Sequence, residues 1–256
     1  MIFETHAHYD DEVFDTDRDE LLGQMKEAGI DYIVNIAAAY DGLLATKKLM
    51  EKYSFIYGAM GIHPSEIGAL NEEVMQELAT YADMDKTVAI GEIGLDYYWD
   101  KDNKKQQIYW FQRQMNLARQ KGLPIVVHSR DAAADTLEVM KAEKAEEIGG
   151  VIHCYSYSVE MAKNYLDMGF YLGIGGVVTF SNAKKLREVV AYAPIERLVL
   201  ETDSPYLSPV PNRGKRNSSL NIPYVVEEIA KIKGISKEDV MKITYDNAKK
   251  MYRIKE

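Results

Sequence analysis

Residues 108–128, IYWFQRQMNLARQKGLPIVVH, contain the unit from which the rest of the chain is built. Apolar side chains recur at helical spacing up to Ala118, which predicts an amphipathic helix that ends before Gly122. Pro124 then opens a short β-branched run that stops at His128. A run this short and this apolar is typical of a parallel strand buried on both faces. The stretch therefore predicts a helix followed directly by a buried parallel strand.

The same alternation extends through the 256 residues. Strands joined by right-handed helical crossovers form either a closed (β/α)8 barrel, which needs about 250 residues, or an open doubly wound sheet. An open sheet that binds a nucleotide usually has a glycine-rich turn after its first strand, but here the run GIGG stands late, at residues 173–176. We therefore predict an α/β fold, a single eight-stranded parallel TIM barrel over residues 1–256. The predicted strands are residues 1–5, 32–36, 55–60, 87–90, 124–127, 150–152, 170–174 and 198–200, with two further helices at 223–231 and 237–250.

The composition is that of an ordinary globular protein, with 46% hydrophobic and 28% charged residues, which argues against intrinsic disorder. No apolar run approaches the ~18 residues of a membrane span, and residues 1–5 lack the features of a signal peptide. The lone Cys154 cannot form an internal disulfide, which favours a reducing compartment. We expect a cytoplasmic protein without membrane contact, and no feature indicates an obligate protein partner.

The formal net charge of −9 argues against a protein that coats or slides along duplex DNA. A local phosphate site is still compatible with this charge, because bound divalent cations reverse the sign of the potential at one place. A nucleic-acid substrate would therefore be bound locally, at free ends or short single strands.

All five histidines lie at, or just beyond, the C-terminal end of a predicted strand. In a (β/α)8 barrel these ends converge on one face, where active sites are built. Each histidine alone would more often be a hydrogen-bonded structural residue, so it is their shared position that indicates a site. The five are His6, His8, His63, His128 and His153.

His6 and His8 are two residues apart in a predicted strand, so both imidazoles point to one face and suit a borderline divalent metal. Glu92 follows the fourth strand between two glycines, and Asp203 closes the eighth. A salt bridge across the rim would equally explain Glu92, and a cap on the following turn would explain Asp203. Four histidines and two carboxylates exceed the needs of one tetrahedral ion and suit two metals with a bridging carboxylate.

Six ordered motifs resemble the TatD family, metal-dependent deoxyribonucleases of the amidohydrolase superfamily. The resemblance extends from the first residues to about Asn217 and so covers nearly the whole chain. Two residues depart from the usual pattern, because Glu4 stands where the family usually has Asp and Tyr9 where it has Leu or Phe. The motifs are ETHAHYD at residues 4–10, GIHP at 61–64, GEIGLD at 91–96, HSR at 128–130, HCYS at 153–156 and ETDSPY at 201–206.

The resemblance implies a divalent-metal-dependent hydrolase, most simply a deoxyribonuclease of the 3′-to-5′ exonuclease type. It implies two metal ions per subunit, for which Mg²⁺, Mn²⁺ and Zn²⁺ all fit, and it implies that His63 faces the substrate. The implied ligands are His6, His8, Glu92 and Asp203 for one ion, and Glu92, His128 and His153 for the second, with Glu92 as the bridge.

Three side chains outside the ligand set are expected to act on the substrate. Arg130 and Arg213 offer bidentate forks for phosphate, although a loop with three cations in four residues is more often solvated surface. His63 is suited to donate a hydrogen bond or a proton to the developing phosphorane. Glu201 lies two residues before Asp203 on the same strand face, so it either supports the ligands from behind or pairs with a rim cation.

Tyr97, Tyr98 and Trp99 follow the fourth strand. Aromatic side chains at the rim of a barrel either stack on bases or pack as a lid over the strands, and the sequence leaves both interpretations open.

The predicted chemistry is phosphodiester hydrolysis by a water that two metals activate, with Asp203 orienting that water and taking its proton. One rival is hydrolysis of an ester or amide bond, such as an aminoacyl ester on a tRNA end, by the same binuclear site. A second rival, a non-catalytic binding protein, is disfavoured because a degenerate barrel would be expected to have lost a ligand and none is missing here.

Overall fold

The computed structural model describes residues 1–254, in which eight parallel strands form one sheet in the order of the chain. The first and last strands meet at a parallel bridge between Ala7 and Ser204. Backbone bonds support this seam, since the His8 N–H donates to the Ser204 carbonyl at 2.7 Å and the Asp203 N–H to the His6 carbonyl at 2.9 Å. The sheet therefore closes, and the predicted TIM barrel is confirmed.

Every predicted strand is present, but four of them, the first, second, fourth and fifth, extend further than predicted. The strands are β1 (Ile2–Ala7), β2 (Ile30–Ile36), β3 (Ile56–Met60), β4 (Thr87–Asp96), β5 (Ile125–Arg130), β6 (Gly150–Ile152), β7 (Tyr171–Ile174) and β8 (Leu198–Leu200). β4 and β5 continue because their backbones keep pairing past the apolar runs, with Gly94 opposite His128 and Asp96 opposite Arg130. As a result Glu92 and His128 lie within strands rather than beyond them.

A helix follows each strand, and one more helix ends the chain. The helices are α1 (Arg18–Gly23), α2 (Tyr40–Lys52), α3 (Glu72–Ala82), α4 (Lys104–Lys121), α5 (Ala133–Ala142), α6 (Val159–Asp167), α7 (Lys184–Tyr192), α8 (Ile222–Lys233) and α9 (Lys237–Met251). The two helices predicted after the last strand are α8 and α9. No helix within residues 1–254 is long and apolar enough to cross a membrane.

Local sequence explains where several helices begin and end. Asn71, Ser158 and Ser236 begin α3, α6 and α9, because each side-chain oxygen accepts a backbone N–H of the first turn. α4 and α8 end at Gly122 and Gly234, which adopt left-handed backbones with φ of 66° and 67°.

One apolar cluster receives side chains from all eight strands and therefore fills the barrel interior. Phe3, Val126 and Val199 belong to it, together with Met251 and Tyr252 at the end of α9. The Tyr252 hydroxyl donates to the Thr5 carbonyl at 2.8 Å. The Asn247 amide bonds to the Ile195 and Leu198 carbonyls, where β8 begins. α9 thus closes the N-terminal end of the barrel, and the C-terminal end stays open for a site.

Candidate metal centre

His6 lies near the end of β1 and His8 directly after it, and both rings point to the same place. Their Nε2 atoms lie 3.2 Å apart. Asp203 reaches the same point from the segment after β8, with Oδ1 3.3 Å from His8 Nε2 and 3.6 Å from His6 Nε2. The structure therefore brings together three of the residues that the sequence predicts as ligands of one ion.

Glu92, in β4, lies between this group and a second one. Its Oε2 is 3.3 Å from His6 Nε2, whereas its Oε1 is 2.7 Å from both His128 Nδ1 and His153 Nε2. The two carboxylate oxygens thus face different sets of imidazoles, as a bridging ligand requires.

Two of the imidazoles are held in the tautomer that metal ligation needs. His8 Nδ1 lies 3.0 Å from the Ile36 carbonyl, which only accepts, so Nδ1 carries the proton and Nε2 offers a lone pair. His128 Nε2 lies 3.0 Å from Asp96 Oδ2, so its lone pair is on Nδ1, the atom that faces Glu92. A second partner that fixes the ring in this way is typical of metal-binding histidines.

The electrostatics of the centre favour bound positive charge. Burial alone would raise the pKa of Glu92, but the His153 and His6 imidazoles hold it well below its ordinary value. Burial would likewise lower the pKa of a histidine, yet Asp203 raises the pKa of His8 to about 9 and Glu92 raises that of His153 to about 10. A buried site that stabilises imidazolium also stabilises a divalent cation.

The donor atoms fit a metal centre in chemistry and in spacing. Nitrogen and carboxylate oxygen are the usual ligands of zinc and similar ions, and bonds of about 2.0–2.1 Å separate adjacent ligand atoms by roughly 3 Å. Contacts of 2.7–3.6 Å among the predicted ligands fall around that value. The residues present could therefore hold divalent metal.

Neither structural alternative for the two carboxylates is what the structure shows. No Lys or Arg of residues 1–254 pairs with Glu92, which contacts only imidazoles. The Asp203 side chain faces His6 and His8 instead of capping the following turn, and its backbone is left-handed with φ of 56°. Left-handed non-glycine residues are uncommon and concentrate at functional sites.

Glu201 lies behind the histidines, deep in the barrel. Its Oε1 accepts the Cys154 N–H at 2.6 Å and is 3.9 Å from His153 Nδ1. Its Oε2, together with His6 Nδ1 and His153 Nδ1, is buried without a partner among the described residues. Burial raises the pKa of Glu201 to about 8. No Lys or Arg within residues 1–254 pairs with it, so the alternative of a rim cation does not apply, and the carboxyl group lies behind the outer nitrogen of His153.

His63 stands beside the ligand atoms and presents a proton to them. Its Nδ1 accepts the Ser65 N–H at 3.1 Å and lies 2.7 Å from Ser65 Oγ, so the ring proton of the neutral form is on Nε2. Burial lowers the pKa of His63 to about 3, which keeps the ring neutral. Nε2 is 3.8 Å from Glu92 Oε1. The ring is thus set to donate a hydrogen bond into the site, and it also lies close enough to Glu92 and His128 to share an ion with them.

Asp96 is a functional candidate to which the sequence reasoning gave no role. It is buried, and one oxygen holds His128 while the other, Oδ1, accepts the N–H groups of Tyr98 and Trp99 at 2.9 and 3.0 Å. Its own N–H donates to Gln107 Oε1 at 2.8 Å. The signal was present, because Asp96 is four residues after Glu92 and an even spacing in a strand predicts the same face.

Two cavities of about 420 and 620 Å³ open over the centre and share part of their walls. The smaller cavity has acidic walls that include Asp10, Asp11 and Glu66. Apart from the residues that the two cavities share, the walls of the larger one are uncharged and include Ser156 and Leu207. The shared residues are Trp99, His128, Arg130, His153, Asp203 and Tyr206.

Arg130 and Arg213 differ from the other arginines of the described chain. Seven of the nine arginines donate hydrogen bonds to protein oxygens. Arg130 and Arg213 instead lie over aromatic rings, 4.0 Å from the Tyr98 centroid and 4.3 Å from that of Phe180, with their forks unpaired. Arg130 lines both cavities, whereas Arg213 lines neither and is exposed on the loop after β8.

The rest of that loop and the aromatic run are divided between structural and exposed positions. Arg216 donates to Asp17 and to the Val13 carbonyl, so it anchors the loop.

Tyr97 is buried, and its hydroxyl donates to Asp135 at 2.7 Å. Tyr98 and Trp99 are 50% and 68% exposed, and Trp99 lines both cavities. The packing interpretation therefore applies to Tyr97 alone.

Comparisons with known proteins identify the family of the chain and confirm its fold. Residues 3–253 match the sequence model of a family described as TatD related DNase. The chain is 42% identical to YabD of Bacillus subtilis (99% of this chain, 100% of that protein) and 35% identical to YcfH of Escherichia coli K12 (99% and 96%), each described as an uncharacterised metal-dependent hydrolase. Its fold superposes on the crystal structure of YJJV, a TatD homologue from Escherichia coli K12, with a TM-score of 0.93 and 26% identity over 99% of this chain and 98% of that one.

Proposed function

Because this chain belongs to the TatD family of metal-dependent hydrolases, we propose that it is a deoxyribonuclease that removes nucleotides from single-stranded DNA ends. The proposed polarity is 3′ to 5′, and the proposed centre holds two divalent cations. His6, His8 and Asp203 would hold one of them, His128 and His153 the other, with Glu92 shared.

The observation that carries the proposal is the division of Glu92 between two groups of ligands. One oxygen faces His6, and the other faces His128 and His153. A carboxylate shared in this way would hold two cations, which would supply charge stabilisation to both the attacking and the leaving oxygen of one displacement. Phosphodiester hydrolysis is a reaction that uses such stabilisation.

When bound, the two cations would supply Lewis acidity to a phosphoryl oxygen and lower the pKa of a water from 15.7 towards roughly 7. Asp203 is 17% exposed at its side chain and faces the cavities, so its carboxylate can orient the attacking water and accept a proton from it. The nearby His63 would donate through Nε2–H to the developing charge or to the leaving oxygen.

The unpaired arginines support a phosphate substrate over a neutral ester or amide. Arg130 lines both cavities and has no protein acceptor for its fork, so the fork is free to bind phosphate in bidentate fashion. Binding of this kind is confined to one face of the molecule. It is therefore consistent with a net charge of −9, which disfavours DNA binding elsewhere on the surface.

The test is a cleavage assay on end-labelled single-stranded DNA with metal-stripped protein reloaded with Mn²⁺, Mg²⁺ or Zn²⁺. We expect stepwise loss of terminal nucleotides that disappears in Glu92→Ala and in Asp203→Ala. Asp83→Ala is the matched control, because it also removes a carboxylate, but one that pairs with Lys121 outside the site. This variant should retain activity.

Intact DNA with metal demonstrably bound would contradict the nuclease proposal. Hydrolysis of aminoacyl-tRNA by the same preparation would then identify the substrate as an ester. Loss of that activity in the same two variants would leave the assignment of the centre in place.

A further inference from the structure

We propose that Trp99 and Arg130 form a nucleotide subsite beside the metal centre, in which the Trp99 indole stacks on a nucleobase and the Arg130 fork binds the adjoining phosphate. This inference rests on the proposed function for the identity of its ligand. It assigns a role to the aromatic pair Tyr98 and Trp99 at the mouth of the barrel. Neither the predicted metal ligands nor the family match gives these residues a role.

The position of Trp99 is unusual for a large apolar side chain. It is 68% exposed, yet it lines both cavities together with His128 and Asp203. Its contact with Tyr98 is edge-to-face, at 4.9 Å between ring centroids and 88° between planes. Such a contact leaves an indole face open, and an exposed ring face beside a phosphate-binding cation is what a stacked base requires.

The neighbouring Arg130 is held in place without losing its hydrogen-bonding capacity. Its guanidinium lies 4.0 Å from the Tyr98 centroid and 5.7 Å from that of Trp99. The contact with the rings positions the guanidinium while its five N–H donors stay free, since no oxygen within residues 1–254 accepts from them. A phosphate bound at Arg130 would place its own base within reach of Trp99.

The turn that carries the aromatic pair is rigid and connected to the metal centre. Asp96 Oδ1 accepts the N–H groups of both Tyr98 and Trp99, and Gln107 donates to the Asp96 and Asp100 carbonyls. Asp96 Oδ2 also bonds to His128. The same carboxylate therefore positions both the turn that carries the indole and one of the predicted metal ligands. The subsite is thus preorganised, which lowers the entropic cost of stacking.

The charge of the two cavities decides on which side the nucleotide lies. Asp10, Asp11 and Glu66, which line only the smaller cavity, disfavour a phosphate chain that continues there beyond the scissile phosphate. The larger cavity has Ser129, Ser156 and Val177 in its wall. Trp99 stands at the border between the two, so a nucleotide in the larger cavity meets the indole.

The experiment uses Trp110→Phe, zinc-loaded, because the chain has two tryptophans and this variant leaves Trp99 as the only one. Indole fluorescence is followed during titration with 2′-deoxyadenosine 5′-monophosphate or with 2-deoxyribose 5-phosphate. We expect saturable quenching by the nucleotide. We expect roughly 5- to 150-fold weaker binding of the sugar phosphate, the equivalent of one stacked base.

Calorimetry on Trp99→Ala provides the matching measurement. This variant should bind the nucleotide about as weakly as the sugar phosphate and leave the affinity for the sugar phosphate unchanged. Trp99→Phe should recover part of the nucleotide affinity. Tyr192→Ala, which removes an exposed aromatic ring on α7, should behave as the parent protein does.

Absence of quenching, or equal loss of affinity for both ligands in Trp99→Ala, would overturn the subsite. Hydrolysis of single-stranded DNA by the parent protein is measured separately. If DNA is hydrolysed but substitution of Trp99 has no effect on nucleotide binding, the nuclease proposal stands and the subsite proposal fails. If the nucleotide quenches the indole but DNA is not hydrolysed, the subsite proposal stands and the nuclease proposal fails.

Discussion

At the scale of single residues, the roles of the histidines follow from what the second ring nitrogen touches. His8 faces a backbone carbonyl and His128 faces the Asp96 carboxylate, so each turns a lone pair towards the centre. His63 instead accepts a backbone N–H and turns a proton towards it. The same type of side chain is thus oriented to serve as a ligand in two places and as a donor in a third, and the outer contact distinguishes them.

Asp96→Asn should weaken metal binding about 10- to 100-fold. The amide keeps an acceptor for the N–H groups of Tyr98 and Trp99, but it can turn an NH2 group towards His128 Nε2. That contact favours a proton on His128 Nδ1, the atom that faces Glu92, and a protonated nitrogen cannot ligate. Competitive titration with a metal indicator measures the change.

Asp100→Asn is the matched control, because Asp100 is in the same turn and bonds to the N–H groups of Asp102 and Asn103 rather than to a histidine. Its metal affinity should equal that of the parent. Equal affinities for all three proteins would show that Asp96 does not orient His128.

At the scale of secondary structure, each ligand is delivered by the end of a strand, and the packing of one strand on the next decides where its side chain reaches. Glu201 extends from the end of β8 across β7 and lies against Gly173, where a Cβ atom would be 2.1 Å from Oε2. Only glycine leaves room for the carboxylate at that position. Gly173, the first residue of the GIGG run, therefore serves the site through packing.

Gly173→Ala should cost roughly 1–3 kcal/mol in the free energy of unfolding, as overpacked interiors do, and should displace the Glu201 side chain. Denaturant unfolding measures the loss. Gly23→Ala is the control, because a Cβ atom there meets nothing within 4 Å, and a change within about 0.5 kcal/mol is expected. Equal stability of both variants would mean that the Glu201 carboxylate has room to move.

The sequence predicted the number, order and type of the strands, because a buried parallel strand has a strong apolar signature of its own. It did not predict that β4 continues to Asp96. Backbone pairing does not depend on side-chain polarity, whereas a prediction from sequence assigns polar residues after an apolar run to a loop. The six predicted ligand positions follow from strand alternation and the family motifs, and the structure brings them together. The roles of Asp96 and Ser65 could not be predicted, because they depend on contacts between elements.

At the scale of the whole molecule, the two ends of the barrel have different roles, since one is packed and the other carries the candidate site. α9 and the apolar interior close one end, while the acidic chain concentrates its unpaired arginines at the other. Arg130 belongs to the cavity walls, and Arg213 lies outside them on the loop after β8. A strand of DNA that enters at the centre would therefore reach Arg213 with nucleotides distant from the scissile bond.

Arg213→Ala should raise the KM for long oligonucleotides roughly 2- to 5-fold, the size of one exposed ion pair, and leave the KM for a dinucleotide unchanged. It should also reduce the dependence of binding on salt concentration by about one phosphate contact. Lys26→Ala, an exposed cation before β2, is the control. An unchanged KM for long substrates would remove Arg213 from the DNA path.

The most direct test of the binuclear centre is a titration of metal-stripped protein with Mn²⁺ in which bound ions and DNA hydrolysis are followed together. We predict two ions bound per chain, hydrolysis that rises as the second ion binds, and one ion per chain without hydrolysis in His128→Ala. Saturation at one ion per chain with full hydrolysis would contradict the account.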